Sequence, residues 1–242
     1  MGITICCSIL GYGDSKNPVY QAIKYPEPEE SEDHSMMEPP ASMIEALALA
    51  NKTHDVILRR FGDPNILSYL HVFLVFLRET AAYPEAIGHI APEFPWKLLS
   101  LMLNTLLVDY QVYSRIENEC FPESRKGDRP LPEDWAMRGL LWTERSLPSD
   151  LFSSEEADDS ERYFEVPSMI EQRKERVLYL ACRIAAQSSD FLLYNRESHR
   201  FSVSKQFDIE IPGVTCEPED PGPDAAVGDL EMPDIVKTEP TP

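Results

Sequence analysis

Arg173 holds the position in this sequence that most requires a chemical explanation. In SMIEQRKERVLYLACRIA, which starts at Ser168, a helical repeat of about 100° per residue gathers Ile170, Val177, Leu180, Ala181 and Ile184 into one apolar arc with Arg173 at its middle. A guanidinium there needs a carboxylate from another element, because an unpaired buried charge is costly; otherwise it must lie on a partly open groove that meets a phosphate or a protein partner. Arg176 and Arg183 flank the arc and would extend it into a basic strip. The best supply of carboxylate is RPLPEDWAMRGLLW, from Arg129 to Trp142. Pro130 and Pro132 restrict its path, and Glu133 and Asp134 fall in the first turn of a short helix, where the helix dipole favours acid. Trp135 and Trp142 add apolar area, and Gly139 permits close approach or termination. The expected contact is Arg173 with Glu133 or Asp134, with Arg176 as the alternate donor.

Other chemistry is harder to find. The histidines, His34, His54, His71, His89 and His199, have no metal-ligand spacing, and no G-x-S-x-G occurs. GYGDSK at Gly11 to Lys16 lacks the full phosphate-loop pattern and reads as a turn. The acidic EEADD at Glu155 to Asp159 reads as a solvated loop. The reading is therefore of a protein that is not an enzyme and needs no cofactor or metal. Val236-Lys237-Thr238-Glu239 matches the apolar-Lys-x-acid pattern that resembles an acceptor site for a small ubiquitin-like modifier, which makes Lys237 a candidate modification site.

Charge narrows the partners. Of 242 residues, 42 are acidic and 22 basic, a formal net charge of −20. Such a chain repels polyphosphate at long range, so nucleic-acid contact would need a local basic patch. Residues 1–41 hold two Lys against seven acids, and residues 205–242 two Lys against ten. The ends therefore read as disordered acidic segments, 1–41 and 205–242, around a helical domain at 42–204 that should fold without them. Five cysteines without a C-x-x-C pair fit a reducing compartment, nuclear or cytoplasmic. Gly2 lacks the Ser or Thr that myristoylation expects at position six, so the start reads as a frayed terminus, with acylation at Cys6 or Cys7 as the alternative. The most apolar internal stretch, Ile66 to Leu77, is too short for a bilayer span of roughly 20 residues, and no membrane is expected.

The elements that must position these residues read as all-α: a helical bundle or stack of α-hairpins. Ser42 with Glu45, and Ser168 with Glu171, have capping-box spacing and open helices running to Phe61 and about Ser188. Gly62 and Asp63-Pro64 separate the first from a second helix, roughly 65–82, that is apolar nearly all round and must be surrounded by others. Pro95 opens a third, from Trp96 to about Tyr110, with Asn104 near its apolar arc. A short helix is expected over 132–140, and a small β-hairpin near 191–203.

Three segments carry a resemblance to a known family: PWKLLSLMLNTLL at Pro95 to Leu107, RPLPEDWAMRGLLW, and ERYFEVPSMIEQRKERVLYLACRIA at Glu161 to Ala185. Together they resemble the helical DNA/RNA-binding-type region of the nonsense-mediated mRNA decay adaptors and the ever-shorter-telomeres proteins, particularly fungal members. The match covers roughly residues 65–204. It implies a helical adaptor or scaffold whose partners are proteins of RNA-decay or telomerase complexes, and it marks Trp96, Asn104, Arg129, Pro130, Pro132, Glu133, Asp134, Trp135, Gly139, Arg173 and Arg176 as structural or partner-binding positions. The family's tetratricopeptide, 14-3-3-like domain has no visible counterpart here, so phosphopeptide binding is not expected; nor does a nuclease domain. The alternative is a direct single-stranded DNA or RNA binder using Arg125, Lys126, Arg129 and the Arg173 to Arg183 face, with nucleic acid otherwise a weak partner. An acidic-tail transcriptional regulator is a third reading.

Overall fold

The computed structural model describes residues 1–26, 38–122, 129–144, 146–152 and 164–213. In chain order the helices are α1 (Gly2–Ile9), α2 (Pro18–Lys24), α3 (Ala41–Leu58), α4 (Leu67–Ala81), α5 (Pro84–Ile90), α6 (Trp96–Leu107), α7 (Tyr113–Glu117), α8 (Pro132–Met137) and α9 (Ser168–Gln187). The strands β1 (Leu192–Asn195) and β2 (Arg200–Val203) follow α9. The described residues are all-α apart from this antiparallel hairpin, in which Leu192 pairs with Val203 and Asn195 with Arg200. One compact unit spans Met1–Glu210; of the second, Ile211–Pro242, only residues 211–213 are described.

The organising element is α4. Its sequence LSYLHVFLVFLRETA has apolar residues on every side, and nearly all of it is buried, as a helix without a polar face requires. Its largest neighbour is α9, and α1, α5 and α8 also pack against it. The core between them is aromatic: Phe76 meets Trp142 edge to face at 5.6 Å, and Phe73 stacks with Phe94 at 5.5 Å.

Residues 1–24 correct the expectation of a disordered N-terminal segment. Ile5, Cys6 and Ile9 of α1 are buried, and α1 packs on α3 and α4. Gly2 makes this approach feasible, since a Cβ there would lie 3.1 Å from Val72 Cγ1. The buried Asn17 joins α1 to α2: its Nδ2 donates to the Ile9 carbonyl at 2.7 Å, and its Oδ1 accepts from the Tyr20 amide at 3.0 Å. Eight residues of α1 are too few for a periodicity to be read, which is why the segment passes for a frayed end. Residues 27–37 lie outside the described residues.

The C-terminal boundary also moves. Phe207 packs on Trp96 and Phe191, and Lys97 pairs with Asp208, so the folded part passes residue 204. Neither expected capping box forms. Pro40 and Pro167 occupy the N-cap positions of α3 and α9 without a side-chain cap, and Ser42 and Ser168 lie inside the helices.

Candidate functional site

The first site is the junction of α8 with α9. Leu131, with extended backbone, precedes α8, and Asp134 Oδ2 reaches back to accept from its amide at 2.9 Å, which fixes the first turn. Pro132 stands at N1, where its missing N–H is no loss. This turn presents Glu133 to Arg173, which grips it with both sides of the fork: Nε donates to Oε1 at 2.7 Å and Nη2 to Oε2 at 2.9 Å. Arg173 Nη2 also donates to Glu165 Oε1 at 2.7 Å. The pair is enclosed, with Arg173 4% and Glu133 8% exposed. The carboxylate that the apolar arc demands is therefore present, and it is Glu133.

A further member was not legible in the sequence. His71, in the middle of α4 and 1% exposed, sets Nδ1 3.2 Å from Glu133 Oε1 and Nε2 3.8 Å from Asp134 Oδ1. Burial pushes the Glu133 carboxyl up, but the hydrogen bonds with His71 and Arg173 outweigh it and hold it down at about 2. For Arg173, burial opposes the charge, and Glu133 and Glu165 more than restore it, raising its pKa. Three helices thus meet on one ionic knot, and α7 is tied to α9 by a parallel device: Glu175 accepts from Arg115 Nε at 2.9 Å, Arg115 Nη2 at 2.8 Å and Tyr110 Oη at 3.0 Å.

The remaining candidate residues are mostly built into the fold. No hydrogen bond or ion pair joins Arg176, the expected alternate donor, to α8 among the described residues; it is 3% exposed with its guanidinium 3.8 Å from the centre of the Phe121 ring. Arg129 Nη2 donates to the Phe164 carbonyl at 3.1 Å, and its own carbonyl accepts from Gln172. Arg183 Nη2 donates to the Glu117 carbonyl at 3.1 Å. The expected basic strip along α9 is therefore not an exposed surface at Arg173 and Arg176. Pro130 is buried beside the knot. Gly139, with φ of +83°, ends α8 in the left-handed region, and no atom lies within 4 Å of where a Cβ would stand. Of the two expected roles it has termination. Trp96 is 1% exposed, donates from Nε1 to the Ala91 carbonyl at 3.0 Å and stacks on Phe191 at 5.1 Å. Asn104 reads the backbone of β2 like an added strand: Nδ2 donates to the Phe201 carbonyl at 2.9 Å and Oδ1 accepts from the Phe201 amide at 2.8 Å. Arg125, Lys126 and Lys237 lie outside the described residues.

The second site is a groove of about 690 Å³ bounded by α4, α9 and the segment that follows α8. Phe121 and Tyr179 meet edge to face at 5.9 Å on one wall, and Phe152 stands in another beside Trp135, at 4.8 Å. Arg78 lies 6.0 Å from the centre of the Tyr179 ring and Arg138 5.0 Å from that of Phe152. Neither guanidinium has a carboxylate partner among the described residues. Sequence reasoning singled out neither, although Arg78 had a signal: it is a basic residue at the end of an otherwise apolar run.

Among the described residues no group of three or more His, Cys, Asp and Glu is placed to hold a metal ion. Burial pushes the Cys182 thiol up to about 12 and that of Cys6 well above its usual range, which makes both poor nucleophiles at neutral pH. No helix of the described residues is long and apolar enough to cross a membrane. No family model, curated protein or solved structure matches the chain.

Proposed function

We infer that the chain is a non-enzymatic helical adaptor, a scaffold that presents a fixed surface to protein partners in RNA-decay or telomerase complexes of the nucleus or cytoplasm. The observation that carries this reading is the use made of the arginines. Arg173 and Arg176 are enclosed within the fold, while Arg129 and Arg183 hold backbone carbonyls across elements. A direct nucleic-acid binder would keep such side chains on an open face for phosphates. Here they fix the register of helices, which suits a rigid platform, and the groove beside α9 offers an open surface for a partner. The three family-like segments support the same reading: two of them supply the two halves of the Arg173–Glu133 junction.

The test is recovery of the tagged chain from the cells that make it, with and without nuclease treatment. The adaptor reading expects stoichiometric protein partners of RNA-decay or telomerase complexes that survive nuclease. It also expects no retention of single-stranded RNA or DNA by the purified chain at moderate salt. Steeply salt-dependent binding to either strand, with partners lost on nuclease treatment, would establish the nucleic-acid reading instead.

A further inference from the structure

We propose that the groove beside α9 is the docking site for a short acidic peptide segment of a protein partner, with carboxylates received by Arg78 and Arg138 and an apolar or aromatic side chain laid between Phe152 and the Phe121–Tyr179 wall. The inference rests on the adaptor reading and names the chemistry of the partner.

Three observations carry it. The groove, at about 690 Å³, falls within the range of roughly 300–1,000 Å³ typical of ligand clefts. Its cations have no carboxylate: Arg115 and Arg173 are forked onto glutamates, whereas Arg78 and Arg138 lie over aromatic rings with no carboxylate among the described residues. A guanidinium over a ring has N–H donors left for a planar carboxylate, which it can take in a two-pronged grip. The wall also holds an unused polar group. Ser146 is 3% exposed, lines the groove, and its hydroxyl has no hydrogen-bond partner among the described residues. A buried hydroxyl without a partner is costly, and a peptide carbonyl or carboxylate would satisfy it.

The same lining argues for a peptide over a polynucleotide. Glu119 and Glu144 also border the groove. A continuous phosphate backbone would be carried against them, while a peptide can set one or two carboxylates at Arg78 and Arg138 and a neutral residue opposite each glutamate. The net charge of −20 does not prevent contact, because at physiological salt fields between exposed charges fade beyond about 8 Å and the groove's own cations dominate inside it.

The experiment selects a random short-peptide library on the immobilised full chain and, in parallel, on Arg78→Gln/Arg138→Gln. Lys52→Gln, at an exposed position of α3, serves as the control, and circular dichroism and thermal unfolding confirm that each variant is folded. The wild-type chain and Lys52→Gln should enrich peptides in which Asp or Glu flank an aromatic or large apolar residue. A peptide resynthesised from that pool should bind at least tenfold more weakly to the double variant and to its own Asn/Gln version. Should Arg78→Gln fold poorly, Arg138→Gln alone, at an exposed position, should still weaken the peptide severalfold. Enrichment of basic or neutral sequences, the same pool on the double variant, or single-stranded RNA competing for the groove would overturn the proposal. Nuclease-resistant partners that remain bound to the double variant would sink the groove proposal while leaving the adaptor reading standing; absence of any such partner on the wild-type chain would sink the adaptor reading itself.

Discussion

Arg173 and Arg78 carry the same guanidinium chemistry into opposite situations. At the junction of α8 and α9, Arg173 is enclosed, forked onto Glu133 and linked through it to His71 on α4. Along the groove, Arg78 and Arg138 lie over the faces of Tyr179 and Phe152 and reach no carboxylate among the described residues. An enclosed charge is held by its partners and in turn fixes them, so the junction sets helix register. A charge on an aromatic face contributes little to folding, about 0.5–1 kcal/mol at an exposed site, and keeps its donors available. The contrast separates side chains that build the platform from those that remain for recognition.

The largest expected effect lies at the junction. Arg173→Ala or Glu133→Ala should each lose about 3–5 kcal/mol of unfolding free energy, since each takes the two-pronged partner from a buried charge and leaves it only Glu165, for Arg173, or His71, for Glu133. In a double-mutant cycle the two should couple by roughly 1–3 kcal/mol. Losses that simply add would dissolve the distinction between the two regions.

Acid should act on the same side of the comparison. Glu133 lies near 2 in the folded chain against an ordinary 4.5, so its contribution is complete above about 4.5 and is lost as pH falls through about 2. His54 adds an earlier loss. It is boxed by Tyr69, Phe73 and Phe94, neither ring nitrogen has a partner among the described residues, and burial lowers it from 6.5 to about 3. The unfolded chain therefore takes the proton first, and stability falls as pH drops from about 6.5 toward 3. Urea unfolding at a series of pH values should show both slopes, with His54→Leu flattening the part above pH 4.5 and Glu133→Gln the part below. If His54→Leu leaves the upper slope intact, the histidine is not its source.

An intermediate effect is expected where a neutral side chain does structural work. Asn104→Ala removes both hydrogen bonds to the Phe201 backbone and should cost about 1–3 kcal/mol, because two buried backbone groups lose their partner. Faster hydrogen exchange in β2, without change at α8, would be the local signature.

How much of this the sequence discloses depends on whether a residue breaks a readable pattern. Arg173 breaks an apolar arc, and Glu133 stands in a turn framed by prolines, so their meeting could be anticipated from physical cost alone. His71 breaks nothing legible: α4 is apolar on all sides and offers no stripe against which a polar residue stands out. The N-terminal helices are hidden in the sequence because α1 is short and the acid of residues 27–33 colours the composition around it. The capping boxes failed for another reason, as prolines one or two residues upstream start those helices without help from serine. The groove is assembled from Arg78, Phe121, Arg138, Phe152 and Tyr179, which are far apart in the chain. Only packing brings them together.

The smallest stability change should come from the groove, and it gives the most direct measurement. Urea unfolding of Arg173→Gln and of Arg78→Gln/Arg138→Gln, side by side at neutral pH, compares one enclosed arginine with two open ones. The account predicts a loss of about 3–5 kcal/mol for the first and about 1 kcal/mol or less for the second. Equal losses, or a larger one from the groove pair, would contradict the claim that the junction holds the fold while the groove is free to bind.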